Sequence, residues 1–175
     1  MIQCYNRSPK SSKEKKNIVI PQGVTIIGER SFYSCYVERI TIPQSVNIIE
    51  ANPFILINDG SKKQLEIICE SNYFKVEDYA IYDVRRKILI SYYGKGNHFT
   101  IPYGTKIIGD YAFWGTSLES ITIPETVVEF GKKAIDLSWE DLKALYIPKG
   151  SKKKFELLLH NYEDYYKELL FEQYI

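Results

Sequence analysis

The sequence predicts an α/β-solenoid dominated by β-structure, in which short parallel strands stack in successive turns. The first observation is a recurring motif, Ile-x-Ile-Pro or a close variant, which ends at Pro21, Pro43, Pro102, Pro124 and Pro148. The second is its spacing: Pro21 to Pro43 and Pro102 to Pro124 are each 22 residues, and Pro124 to Pro148 is 24. Repeats of roughly 20 to 29 residues are typical of solenoids with a short strand in each turn.

Each copy of the motif has the residue pattern of a short strand. The two apolar residues alternate with a middle residue, so both face one side of the strand and the middle residue faces the other. Proline has no N–H to donate to a neighbouring strand, so each strand ends where the proline stands. We therefore expect one buried face and one solvent-facing row of middle residues.

The repeat register also holds beyond the strands. Phe32 precedes Ile40 by 8 residues, and Phe113 precedes Ile121 by 8. Together with the Ile-Gly pairs before each phenylalanine, these residues resemble the BspA-like, Treponema-pallidum-type repeat, whose unit runs Leu-x-x-Ile-x-Ile-Pro-x-x-Val-x-x-Ile-Gly-x-x-Ala-Phe-x-x-Cys. The resemblance covers roughly residues 18 to 155 and implies a right-handed leucine-rich-repeat solenoid.

The chain is predicted to hold one domain. It has 175 residues, of which 45% are hydrophobic and 26% charged, enough for a core of its own. Residues 1–17 are rich in lysine and serine and are predicted to be a flexible polar lead-in to the domain at 18–175. Within that domain the regular repeats fall at about 18–39, 40–66, 99–120 and 121–144, with an irregular repeat at 67–98 and a C-terminal cap at 145–175.

The irregular repeat is predicted to carry an inserted β-hairpin. Pro43 and Pro102 lie 59 residues apart, which fits neither two nor three regular units. Strand-like residues flank a polar turn at 83–86, so we expect a hairpin over 74–92 that projects from the solenoid. An Asn-Asp-Gly-Ser sequence predicts a longer loop at 57–64, which is either a partner contact or a solvated turn without function.

The C-terminal cap is predicted to begin with an amphipathic helix over the open end of the solenoid. Ser151 is a candidate N-cap residue, and the apolar residues after it share one helical face, namely Phe155, Leu158, Leu159 and Tyr162. Residues 163–175 are expected to continue as a helix or as a short final strand. We expect their aromatic side chains to belong to the core rather than to a partner patch.

The sequence offers no residues for catalysis. Its two histidines, His98 and His160, lie far apart, and its three cysteines have neither paired spacing nor a metal-ligand pattern. Motifs for nucleophiles, zinc proteases, dinucleotides and calcium loops are absent. We therefore predict that the protein is not an enzyme, has no cofactor, and has no catalytic, cofactor-binding or metal-binding residue.

Charge and hydropathy argue against two further classes of partner. The net charge is +1, so no overall field attracts nucleic acid. The apolar runs are shorter than the ~18 residues of a membrane span, and no apolar segment follows Met1 as in a secretory signal. We expect neither nucleic-acid binding nor a membrane span; a phosphate-binding arm formed by the lysines of residues 1–17 is the alternative.

The remaining candidate is a protein-binding surface. Stacked strands would present a solvent-facing ladder, and the residues predicted to contact a partner are Val19, Arg39, Thr41, Ile68, Leu89, Thr100, Thr122 and Tyr146. About seven strands at ~4.8 Å spacing give this ladder roughly 350 Å², below the ~800 Å² that each partner buries in a standard interface. A strong partner must therefore also touch the hairpin or the loop, or bind a longer array of repeats.

The sequence thus favours a non-enzymatic protein–protein interaction module. Resemblance to the BspA-like family implies a bacterial protein of surface or adhesin type, at the cell surface or secreted, that binds host or matrix proteins. Because no secretory signal is seen, an intracellular structural or regulatory binding protein is the alternative. A glycan binder or a cryptic enzyme is the third, and it requires a deep polar pocket. Weak self-association through the exposed first repeat is also open.

Overall fold

The computed structural model describes residues 17–33, 35, 37–54, 64–136 and 142–174. Within these residues the chain forms fourteen strands and two short helices. In chain order the elements are β1 (Asn17–Val19), β2 (Ile26–Ile27), β3 (Arg39–Ile42), β4 (Ile48–Ile49), β5 (Glu66–Cys69), β6 (Phe74–Glu77), β7 (Ala80–Asp83), β8 (Ile88–Tyr92), β9 (His98–Thr100), β10 (Ile107–Ile108), β11 (Ser120–Thr122), β12 (Glu129–Phe130), β13 (Ala144–Pro148), α1 (Lys152–Leu158), α2 (Asp164–Glu168) and β14 (Leu170–Gln173).

Successive turns stack as a solenoid of parallel strands, which confirms the predicted fold class. β1, β3 and β5 form a three-stranded sheet, and β9, β11, β13 and β14 form a four-stranded sheet. The pairing keeps the repeat register, with Ile18 opposite Ile40. In β3 the sequence alternation becomes an alternation of burial, because Ile40 and Ile42 are fully buried while Thr41 between them is half-buried.

A second row of strands lies on another side of each turn. The two residues that follow each proline turn by a short interval form the two-residue strands β2, β4, β10 and β12. β2 pairs with β4, and β10 pairs with β12 and with the longer strand β8, all in parallel. Of the β2 pair, Ile27 points into the core and Ile26 stays exposed. Each regular turn therefore contributes two strands, and the second is supplied by the Ile-Ile pair of the repeat or, in the last regular turn, by Glu129–Phe130.

The hydrophobic core is divided into two clusters. The N-terminal cluster contains Phe32 and Phe54, whose rings stack with centroids 5.5 Å apart. The C-terminal cluster contains Tyr92, Phe99 and Phe113, with ring centroids 4.5–5.9 Å apart. Phe32, Phe54 and Phe113 occupy the same position of the repeat, so three of the regular turns each add one large ring to their cluster, and the last regular turn has Ile135 there.

The irregular repeat forms an antiparallel meander of β6, β7 and β8. The predicted hairpin strands are present, but they do not project; they lie between the two clusters. All four residues of β7 are buried, and Ile81 joins the N-terminal cluster whereas Ala80 and Tyr82 join the C-terminal cluster. A strand that is apolar on both faces must be covered on both faces, which explains its internal position.

The two halves of the solenoid also meet at Asn52, which is buried. Its side-chain amide donates to the carbonyl oxygens of Tyr111, at 2.5 Å, and Trp114, at 3.4 Å, and its amide oxygen accepts the Ser91 hydroxyl at 2.5 Å. The Arg30 guanidinium lies over the rings of Tyr111 and Trp114, 5.4 and 5.1 Å from their centroids. Asn52 therefore ties the N-terminal half to the meander and to the C-terminal half.

The C-terminal end of the solenoid is covered as predicted. α1 buries Phe155, and Leu159 follows it into the C-terminal cluster, with Leu158 and Tyr162 packed against that cluster. The segment after α1 forms both of the structures considered, the helix α2 and the strand β14. Its side chains are also divided: Leu170 is buried, whereas Phe171 is exposed.

The start of α1 differs from the prediction in its capping. Ser151 stands at the N-cap position but makes no side-chain cap bond; its hydroxyl donates to the Pro148 carbonyl at 2.5 Å. The Lys152 N–H donates instead to the Glu172 carboxylate at 2.8 Å. Because β14 returns beside the helix start, a carboxylate from a distant part of the chain takes the role expected of the local serine.

Parts of two predicted segments lie outside the described residues: the lead-in, except that β1 already begins at Asn17, and the loop at 57–64, except for Gln64. Cys35 is buried in the N-terminal cluster, which agrees with a packing role. Among the described residues, no helix is long and apolar enough to cross a membrane.

Candidate functional site

The structure divides the predicted ladder into two rows. In the first sheet Val19, Thr41 and Ile68 are cross-strand neighbours, and we call them the N-terminal row. In the second sheet the neighbours are Thr100, Thr122, Tyr146 and Phe171, the C-terminal row. The two sheets are separate, because the meander joins the sheet of β10 and β12 through β8 and does not pair with β5 or β9.

The ladder residues differ in how far they reach solvent. Val19 is 68% exposed and Ile68 39%, whereas Thr122 is only 6% exposed between its cross-strand neighbours. Leu89 lies outside both rows: it is fully buried in β8, opposite Ile108 of β10. The continuous apolar run at 88–90 is the signal that places Leu89 in the core, since a half-buried strand would alternate with polar residues.

The N-terminal row is small and apolar. Beside it, Arg39 forms a cross-strand ion pair with Glu66, with the Arg39 Nε and Nη2 each 2.8 Å from the same carboxylate oxygen. Both side chains are about half exposed, and exposed pairs of this kind contribute about 0–1 kcal/mol. The charge of Arg39 is therefore already engaged within the sheet.

The C-terminal row is polar and aromatic. His98 lies beside it, with Nδ1 2.8 Å from the Ser120 hydroxyl and Nε2 3.1 Å from the Thr100 hydroxyl. The His98 ring lies 6.4 Å from Tyr146, and Tyr146 lies 6.3 Å from Phe171, measured between centroids. These contacts join four strands into one continuous surface of hydroxyl groups and rings.

Sequence reasoning missed two members of this surface. His98 stands at the strand position that Ser120 and Ala144 occupy in the next turns, so the repeat register was the signal that could have placed it beside the row. Phe171 belongs to a strand without the Ile-Pro motif, and only its pairing with Tyr146 reveals its place.

A cleft of about 450 Å³ lies next to the C-terminal row. Gln64, Asp78, Tyr79, Tyr92, His98 and Thr100 contribute to its lining. Burial raises the pKa of the Tyr92 phenol, and a hydrogen bond with the Gly96 backbone opposes that shift. The wall is closely built, because a Cβ at Gly94 would overlap the Tyr92 hydroxyl.

Within the residues that the structure describes, no group of three or more His, Cys, Asp or Glu side chains could hold a metal ion. The candidate site is an open sheet surface with an adjacent polar cleft, and its side chains offer hydroxyls, rings, one imidazole, the Gln64 amide, the Asp78 carboxylate and the Lys95 ammonium.

The fold and the repeat define the class of protein. Residues 10–85 and 90–164 match the BspA type leucine rich repeat region, with six copies of the repeat. The chain belongs to this family. Family membership supports a repeat protein that serves protein interaction.

Two solved structures are similar to the chain. One is a leucine-rich repeat protein from Eubacterium ventriosum, with 32% identity and a TM-score of 0.61 over 76% of this chain and 36% of that one. The other is a leucine rich cell surface protein from Faecalibacterium prausnitzii, with 22% identity and a TM-score of 0.54 over 75% of this chain and 40% of that one. At this identity the second likeness shows the fold alone. The chain spans less than half the length of either protein, and no curated protein matches it.

Proposed function

We propose that the chain is a protein-binding module of a bacterial surface protein of adhesin type, and that it binds its partner through the C-terminal row. The observation that carries this proposal is the adjacent pair Tyr146 and Phe171, on the open face of a four-stranded sheet. Aromatic side chains are enriched at the centres of protein interfaces. Phe171 is 49% exposed and extends the ring surface of Tyr146 towards solvent, where a partner can reach it.

The surroundings of this pair support a binding role. The sheet is fixed from below by the C-terminal cluster and closed at its end by α1, so the rings are held in place before a partner arrives. Pre-organised side chains lose little conformational entropy on binding. The N-terminal row lacks rings and has its neighbouring charge engaged in an ion pair, so it offers less to a partner.

Membership of the BspA-type repeat family is what supports the surface role in this proposal. A single module of this size is expected to bind weakly. Four strands at ~4.8 Å spacing present on the order of 170 Å², far below the ~800 Å² per partner of a standard interface. Useful affinity would then come from additional contacts or from several modules acting together.

Surface plasmon resonance on a panel of immobilised extracellular-matrix proteins tests the proposal. We expect the chain to bind at least one of them, and the double variant Tyr146→Glu/Phe171→Glu to weaken that binding about tenfold or more, as for loss of an interface hot spot. The matched control is Val19→Glu/Ile68→Glu in the N-terminal row, which should bind as the parent does. Circular dichroism checks that both variants are folded.

Two results would contradict this proposal. Equal loss in both double variants would show that the C-terminal row is not the binding face. Absence of binding to the whole panel, together with capture of a defined partner from the producing cell's own cytoplasmic extract, would favour the intracellular binding protein instead.

A further inference from the structure

The cleft next to the C-terminal row contains an aromatic residue that the local backbone does not favour. Asp78 and Tyr79 form the two-residue turn between β6 and β7, with φ of 48° and 59°. Turns with two positive φ values favour Asn-Gly or Asp-Gly, because glycine adopts this conformation without steric cost. Asp78 suits its position. Tyr79 occupies the position where glycine is preferred, at a cost on the order of 1 kcal/mol.

The Tyr79 side chain contributes little to the core that would offset this cost. Its ring is 51% exposed and meets Tyr93 edge-on, with centroids 6.3 Å apart. Its backbone carbonyl accepts the Tyr93 N–H at 2.9 Å, a bond that glycine would make equally well. A residue that departs from a local rule without a matching gain in packing indicates a functional position. What Tyr79 adds is a half-exposed ring facing the cleft.

The groups around this ring are polar and are held in place. The Gln64 amide donates to the Tyr93 carbonyl at 2.9 Å, and the Thr100 hydroxyl is held by His98. The exposed side chains of Asp78 and Tyr79 both line the cleft, together with that of Lys95. The cavity of about 450 Å³ falls within the roughly 300–1,000 Å³ of small-ligand sites.

From this combination we propose that the cleft binds a saccharide, with the Tyr79 ring as the stacking surface and Asp78 and Thr100 as hydrogen-bond partners of its hydroxyls. A pyranose presents a C–H face that packs on an aromatic ring, and its rim of hydroxyl groups requires carboxylate, amide or hydroxyl partners. The cleft offers both kinds of group. Saccharide binding here does not depend on protein binding at the C-terminal row.

The test is a microarray of neutral, N-acetylated and sialylated glycans, probed with the purified chain. We expect retention of at least one glycan class, and titration calorimetry with the best-retained glycan should show about tenfold weaker binding by Tyr79→Gly. The same variant should melt at the same temperature as the parent or higher, because glycine relieves the positive φ. Tyr79→Phe keeps the ring and should bind within a few-fold of the parent.

Two further variants separate the ring from general effects of substitution. Asp78→Asn keeps a residue suited to the turn and should weaken glycan binding several-fold without changing the melting temperature. Tyr103→Ala removes a tyrosine that is 76% exposed and does not line the cleft, and it should bind as the parent does.

The saccharide proposal is overturned if no glycan is retained by the parent, or if Tyr79→Gly and Tyr103→Ala behave alike. It is also overturned if Tyr79→Gly weakens binding to a matrix protein while no glycan binds, since the cleft then belongs to the protein interface. If a glycan binds but no matrix protein does, the proposed protein-binding function fails and the saccharide proposal is unaffected.

Discussion

The two halves of the solenoid use the same repeat for their cores and different residues for their surfaces. Phe32 and Phe113 fill the same repeat position and are both fully buried. At the solvent-facing position, the N-terminal half presents Val19 and neighbours without rings, whereas the C-terminal half presents Tyr146 beside Phe171. The comparison shows that the repeat determines the packing, while its middle position is free to differ from turn to turn and can therefore acquire a binding function.

The largest expected loss of stability comes from removing one phenylalanine ring from either core cluster. Phe32→Ala and Phe113→Ala should each lower the free energy of unfolding by about 3–5 kcal/mol, the cost of a buried ring and its cavity. Because the meander contributes to both clusters, we expect each variant to unfold in one cooperative transition. Urea titration followed by far-UV circular dichroism and by tryptophan fluorescence measures this.

The tryptophans make that measurement specific to one half. Trp114 and Trp139 both lie in the C-terminal part of the sequence, so fluorescence reports that half, whereas circular dichroism reports the whole chain. If the fluorescence midpoint of Phe32→Ala equals that of the parent while the circular dichroism midpoint falls, the halves unfold independently and the shared role of the meander is refuted.

The next effect concerns the junction between the halves. Asn52→Gly keeps a residue suited to the positive φ of 34° at this position but removes the bonds to Tyr111, Trp114 and Ser91. We expect the free energy of unfolding to fall by about 1–3 kcal/mol, because buried polar groups lose their partners. Arg30→Ala, which removes the half-exposed cation over the same rings and its surface ion pair with Glu29, should cost about 0.5–1 kcal/mol. If urea titrations show equal losses of stability for the two substitutions, Asn52 is not the main link between the two halves.

The smallest effect compares two buried tyrosines by deleting one hydroxyl from each. The Tyr162 hydroxyl accepts the Ala134 N–H at 2.9 Å and donates to the Gly131 carbonyl at 2.5 Å. Tyr162→Phe should therefore destabilise the chain by about 1 kcal/mol. The Tyr82 hydroxyl is buried without a hydrogen-bond partner among the described residues, so Tyr82→Phe should be neutral or stabilising. Thermal unfolding of both variants measures the sign of each change in stability. Destabilisation by both substitutions would contradict the difference in hydrogen bonding between the two hydroxyls.

Tyr162 also makes the stability of the C-terminal cap depend on pH. Burial raises the pKa of Tyr162 from 10.0 to about 12, so the folded chain holds the phenolic proton more tightly than the unfolded chain. This contribution to stability is complete below pH 10 and is lost as the pH rises towards 12. We expect stability to fall over that window, and to fall less steeply in Tyr162→Phe. An unchanged slope in the variant would assign the alkaline transition to other groups.

The regular turns were predictable because their signals are local. Ile40 and Ile42 are buried as their alternation requires, and Phe155 and Leu159 cover the solenoid end as their spacing requires. Leu89 was misplaced because an apolar run on both faces of a strand was assigned to the ladder, although such a run indicates burial.

The candidate site was less predictable because it depends on contacts between distant turns. Tyr146 was found from its place in the motif, but Phe171 reaches the row only through the pairing of β13 with β14. Thr122 is covered by its neighbours although its motif equals that of Thr100. The cleft lies beside the meander, which separates the sheet of β1, β3 and β5 from the sheet of β9, β11, β13 and β14. Tyr79 faces the cleft only because it occupies a turn position that normally favours glycine.

The position of the meander also has a consequence for synthesis on the ribosome. Ile81, Ile90 and Tyr93 complete the N-terminal cluster, so the first two turns, although translated first, cannot close their core until residue 93 has emerged. Until then the nascent chain exposes apolar surface that chaperones recognise and that favours aggregation. Truncation before the meander should therefore yield an insoluble fragment, even though it contains two complete repeats.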